Sequence, residues 1–144
     1  MTEEADSFHL IGPANPNAIP RLRFSPQEYN VITRYESNGR LNKVVIANGF
    51  AFLSGITAKD TSGDVGTQTA DVLKQIDAYL VQAGTSKDKL VSANIWLSNM
   101  SDAAGMNAVW QSWIDPETAP ARATVESKLG SPDIRVEIMV QAVL

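Results

Sequence analysis

The hydrophobic period of this chain switches between two and three-and-a-half residues, and only a mixed α and β fold accommodates that. Two β-rich runs, Lys43-Val-Val-Ile-Ala47 and Phe50-Ala-Phe-Leu53, flank Asn48-Gly49. Asn-Gly tolerates the positive φ that a type I′ turn needs at both central positions, so a hairpin is expected here. Val31–Ser37 is a further strand candidate, followed by the turn dipeptide Asn38-Gly39. From Val65 to Ala83 the period becomes helical. Val65, Val72, Leu73, Ile76, Tyr79, Leu80 and Ala83 recur at three- and four-residue steps, with Gln68, Asp71, Lys74, Gln75 and Asp77 mostly between them. Gly84 stands where a C′ residue ends a helix.

Lys89–Asn99 returns to strict alternation, with Val91, Ala93, Ile95 and Leu97 on one face and Ser92, Asn94, Trp96 and Ser98 on the other. Trp96 among polar neighbours reads either as a subunit contact or as a residue under a loop or helix. Ser101-Asp102 can cap a second helix, whose Met106, Val109, Trp110 and Trp113 fall at core spacing, and Asp115-Pro116 stops it. Two more alternating runs, Ala121–Ser127 and Ile134–Leu144, close the chain around Gly130-Ser-Pro132. The order β-β-β-α-β-α-β-β predicts an α+β fold, a mixed sheet with two helices on one face.

Composition narrows the chemistry. The 144 residues suit one domain, and the first 30 stand apart: four of seven prolines (Pro13, Pro16, Pro20, Pro26) lie there. Residues 1–30 are read as a Pro-rich N-terminal arm and 31–144 as the domain. The arm carries the one histidine, His9, read as a surface residue, and the pair Arg21 and Arg23, read as solvated. There is no cysteine, which removes disulfides, thiolate metal sites and cysteine nucleophiles, and one histidine leaves a zinc site or a Ser-His-Asp triad without material. A net charge of −4 disfavours a phosphate-backbone binder. No apolar run reaches the length of a membrane span, and the acidic opening Met-Thr-Glu-Glu-Ala-Asp is unlike a targeting peptide, so a cytoplasmic protein is expected. The glycines at 63 and 66 lack the strand and spacing of a phosphate loop, and Asp71 and Asp77 are read as solvent-facing.

The remaining candidates sit on the last two strands. Antiparallel pairing around Gly130-Ser131 would set Thr124 opposite Glu137, with Arg122 one step along on the same face. An arginine fork suits a substrate carboxylate and a glutamate can take a proton from water. The same residues also suit an ordinary cross-strand ion pair.

At these residues the chain resembles a known family. Ala119-Pro-Ala-Arg-Ala-Thr-Val-Glu126 followed by Arg135-Val-Glu-Ile-Met139 is similar to the closing signature of the RidA (YjgF) family of imine and enamine deaminases. Phe52-Leu-Ser-Gly55, Gln68-Thr69, Ala83-Gly84 and Asn107-Ala-Val-Trp110 agree in order, so the resemblance spans about residues 31–144. It implies a chorismate-mutase-like α+β fold assembled as a homotrimer, with clefts between adjacent subunits and no cofactor. It implies hydrolysis of 2-imino acids to 2-keto acids and ammonia, the work of a 2-iminobutanoate/2-iminopropanoate deaminase-like hydrolase. Arg122 matches the arginine that holds the substrate carboxylate, and Glu137 the glutamate that activates water. Asn107 matches a helix residue near the cleft, and Ser54 and Gly55 match its wall.

Two positions depart from the family pattern. Leu41 stands where founding members have a tyrosine, the mark of a sister subfamily with a preference for bulkier or more apolar imines, and Tyr35 or Arg40 are candidates to supply the missing polar group. Thr124, counted with the substrate-binding residues, stands where a cysteine is usual. Against the deaminase stand a non-catalytic small-carboxylate-binding module of the same fold, and the ribonuclease or translation-inhibitor label of some relatives, which the net charge and scarce histidine disfavour.

Overall fold

The computed structural model describes residues 31–144, so the Pro-rich arm, His9, Arg21 and Arg23 lie outside the described residues. Strands β1 (Ile32–Ser37), β2 (Asn42–Ala47) and β3 (Phe50–Leu53) run as consecutive hairpins. Asn48 and Gly49 adopt φ of 51° and 78°, the conformation that their turn requires. A two-residue strand β4 (Ile56–Thr57) leads to helix α1 (Val65–Ala83). Asp64 caps α1 by accepting a hydrogen bond from the Thr67 amide, and Gly84 closes it at φ 83°. Strand β5 (Leu90–Leu97), helix α2 (Ala103–Trp113), strand β6 (Ala121–Glu126) and strand β7 (Val136–Val143) complete the chain.

The strands form one sheet in the order β1-β2-β3-β7-β5-β6, with β4 also paired to β7. The expected β6–β7 hairpin is absent. β5 lies between the two, antiparallel to β7 and parallel to β6. The reason is the β5–α2–β6 segment: a helix crossover carries the chain back to start β6 beside β5 in the same direction. β6 is therefore an edge strand, and β7 occupies the middle of the sheet.

Both helices cover one face. Ala93, Ile95 and Leu97 of β5 and Val136, Ile138 and Val140 of β7 are buried there with Val72, Leu73, Ile76, Leu80, Met106 and Trp110. Val91 departs from its predicted face and is exposed, because the β5–β7 register shifts between Leu90 and Ser92 and Leu90 takes the buried place. The opposite face carries neither helix and displays Phe50, Phe52 and Val125.

Gln68 contradicts its assignment to the polar side of α1. It is fully buried, and its Nε2 donates to the carbonyls of Thr61, Gly63 and Asp133 while its Oε1 accepts from the Arg135 amide. One side chain thereby ties the loop after β4 to the approach to β7. Asp71 and Asp77 are likewise half-buried and partnered rather than solvated: Asp71 accepts from the Lys59 amide, and Asp77 from the Trp113 indole.

Candidate functional site

Directly opposed residues in a sheet share a face, so the registers locate each candidate side chain. Ala93, on the helix-covered face, is opposite both Arg122 and Val140, and Ile95 is opposite both Thr124 and Ile138. Arg122 and Thr124 therefore point toward the helices. Trp96 is opposite Glu137 on one side and Val125 on the other, so Glu137 points to the uncovered face. The expected single patch of Arg122, Thr124 and Glu137 does not exist within one chain. The inserted β5 separates the strands, and the arginine and glutamate emerge on opposite sides of the sheet.

The arginine half is built from β6 and α2. The Arg122 guanidinium donates from Nη2 to Asn107 Oδ1 at 2.8 Å and lies 5.2 Å from the centre of the Trp110 ring. Trp110 is almost fully buried and packs on Trp113 at 5.4 Å between ring centres, so the platform under the cation is rigid. Among the described residues no carboxylate lies within ion-pair distance of Arg122; the one ion pair is Arg135 with Asp102. An exposed, braced, acid-free guanidinium can offer its fork to an external anion. It borders a cleft of about 340 Å³ that Asn107 and Trp110 also line. A larger cleft of about 470 Å³ beside Asp60, Asp133 and Arg135 includes none of the candidate residues.

The glutamate half is built from β7 and the β3–β4 junction. Leu53 and Ile56 are both buried although three residues apart, so the strand alternation breaks at Ser54-Gly55. Glu137 is opposite Thr57 of β4, and its carboxylate folds back against Gly55. A Cβ at position 55 would overlap Glu137 Oε1 and come within 3.0 Å of its carboxyl carbon. Glycine is required here by space, since its φ is not positive.

Each half also holds an orphaned hydroxyl. Ser54 Oγ and Thr124 Oγ1 are buried from solvent and have no hydrogen-bond partner among the described residues. Buried polar atoms normally find one, so each half of the candidate site carries one unsatisfied hydroxyl. Leu41 and Arg40 lie exposed in the β1–β2 turn, and Tyr35 is half-buried on β1 against the core, all three at the far edge of the sheet from β6. Trp96 is half-buried on the uncovered face.

Two contributors escaped the sequence reading. Trp110 falls at core spacing and is buried there, and it also carries the arginine. Gln68 anchors Asp133 and Arg135, just ahead of Glu137. Its signal was present, since Val65, Gln68, Thr69, Val72 and Ile76 share a helical stripe. Among the described residues no three His, Cys, Asp or Glu side chains converge as metal ligands, and no helix is long and apolar enough to cross a membrane.

The comparisons with known proteins agree with this architecture. The family model described as endoribonuclease L-PSP matches residues 31–144. A RutC family protein of Haemophilus ducreyi is 39% identical over 114 residues, covering 79% of this chain and 97% of that protein. The RutC family protein YoaB of Escherichia coli is 36% identical over 111 residues, covering 77% and 96%. The crystal structure of a YjgF-family protein of Neisseria meningitidis superposes with a TM-score of 0.77 at 41% identity, covering 80% of this chain and 96% of that one. With its sheet, its two helices and these relatives, the chain belongs to the YjgF/RutC (Rid) family.

Proposed function

We propose that this protein hydrolyses reactive 2-imino acids, and the enamines in equilibrium with them, to 2-keto acids and ammonia. The observation that carries the reading is the Arg122 guanidinium, exposed, held by Asn107 and Trp110 and lacking an acidic partner among the described residues. A cation prepared in that way fits a small carboxylate.

Glu137 is the proposed base. It takes a proton from water as the oxygen attacks the carbon of the protonated imine, which gives a neutral carbinolamine beside the bound carboxylate. Glu137 then passes that proton to nitrogen. The C–N bond breaks to release ammonia as the hydroxyl gives its proton to the freed Glu137 carboxylate, and the keto acid leaves while ammonia takes up the proton as ammonium. Ser54, Gly55 and Thr124 line the path, and nothing in the sequence of bonds calls for a cofactor.

Because Arg122 and Glu137 occupy opposite faces of one sheet, this reading needs a second copy: the arginine half of one chain meets the glutamate half of its neighbour. A homotrimer closes three such clefts. The uncovered face, with Phe50, Phe52 and Val125 exposed, supports burial against further copies. The same split favours a second reading at one point only. A chain that does not assemble retains a carboxylate grip without the base, and acts as a binding module.

An amino-acid oxidase that generates 2-imino acids in situ, with keto-acid release followed in the presence and absence of the protein, tests the reading. Faster release over a panel of side chains is expected, and no acceleration for any of them overturns it. Glu137→Gln is expected to assemble normally and to slow release about a hundredfold; an undiminished rate would remove Glu137 from the role of base.

A further inference from the structure

We propose that the cleft beside Arg122 is a subsite for the substrate side chain and that it selects 2-imino acids with uncharged, apolar side chains of branched or aromatic bulk. The inference rests on the proposed deamination and names its substrate class.

Arg122 fixes the starting point. Asn107 and Trp110 take up one N–H and one face of the guanidinium, which leaves the rest of the fork for a carboxylate. In a 2-imino acid the side chain branches from the carbon next to that carboxylate, so it lies within a few bonds of whatever borders the arginine. The cleft of about 340 Å³ does so. That volume is at the small end of ligand pockets, about 300–1,000 Å³. Its walls are Trp110, Ile114, Pro116 and Ala119, and its other polar groups, Asn107 and Gln111, are neutral.

Two consequences follow from this lining. Each methylene transferred from water onto such walls is worth about a fourfold gain. A second carboxylate on the substrate finds no counter-ion except Arg122 itself, where it competes with the first and binds in a non-productive orientation.

The test uses the full chain as it assembles, with imines generated from alanine, leucine, phenylalanine and glutamate. The leucine and phenylalanine imines are expected to show kcat/KM about tenfold above the alanine imine, with the glutamate imine lowest. Ala119→Glu, a substitution at an exposed position, should shrink the leucine-over-alanine preference severalfold. Gln111→Leu, also exposed, should enlarge it. Acceleration that ignores side-chain size, or a preference that neither substitution moves, overturns the subsite while leaving the deaminase reading intact. If no imine is accelerated, the deaminase reading falls, and calorimetry with 4-methyl-2-oxopentanoate and pyruvate decides the subsite. Tighter binding of the larger keto acid supports it; equal or absent binding overturns it.

Discussion

The two halves of the candidate site are held by different means. Arg122 projects from β6, an edge strand whose residues are mostly exposed, and owes its position to side chains: the Asn107 amide and the Trp110 ring on α2. Glu137 projects from β7, in the middle of the sheet, flanked by β4 and β5, and owes its position to backbone: the ladders on both sides and the bare Cα of Gly55. An edge residue braced by side chains can be loosened one contact at a time. A central residue seated against backbone is either seated or displaced. The lesson is that equivalent-looking charged residues on two strands fail in different ways when their surroundings change.

Substitutions can break this contrast. Arg122→Ala removes the anion grip and should lower kcat/KM about a thousandfold, with assembly unchanged by sedimentation; normal activity would show that the carboxylate is held elsewhere. Gly55→Ala comes next. The added methyl collides with the free end of a flexible side chain, so the fold yields cheaply, but the carboxylate must leave its seat. The expected result is kcat down about a hundredfold with the melting temperature within a few degrees of the parent. A large loss of stability instead would mean that backbone, not the glutamate, gives way.

Asn107→Ala removes one of two braces and should raise KM severalfold with little change in kcat, since Trp110 still supports the cation at about 0.5–1 kcal/mol. The smallest effect lies outside both halves and serves as their control. Asp64 caps α1, and hydrogen bonds from the Thr67 backbone and hydroxyl hold its carboxyl below the ordinary value. A depressed carboxyl contributes stability above its unfolded pKa and loses it as pH falls through its folded value. Asp64→Ala should therefore differ from the parent in melting temperature near neutrality and converge with it in strong acid, with kcat untouched throughout. A pH-independent difference would show that the cap acts through something other than charge.

Much of the fold was legible because local signals act locally. Asn48-Gly49 specifies its own turn, and Gly84 its own helix end, at the φ values observed. Strand alternation singles out Arg122 and Glu137 as candidates, and the family resemblance adds Asn107 and Gly55. Their mutual placement was not legible. Pairing between consecutive strands is the common outcome, yet β5 intrudes between β6 and β7, and one inserted strand undoes the inference that Arg122 and Glu137 share a face. Periodicity along one segment carries no information about which other segment lies beside it. Gln68 shows a related limit. Its position on the stripe marked it for burial, but its polarity argued for the surface, and only the carbonyls of Thr61, Gly63 and Asp133, brought together by the tertiary fold, resolve the conflict.

The bare Cα at position 55 reaches beyond this one chain. Residues 55 and 137 divide a single volume, so neither can be exchanged as though the other were absent. A lineage that acquires any side chain at 55 must shorten the acid at 137 or swing it out of place, and correlated replacement of the two is the trace such an event would leave. A relative that keeps an acid seated in this spot must therefore keep its counterpart of position 55 free of a side chain.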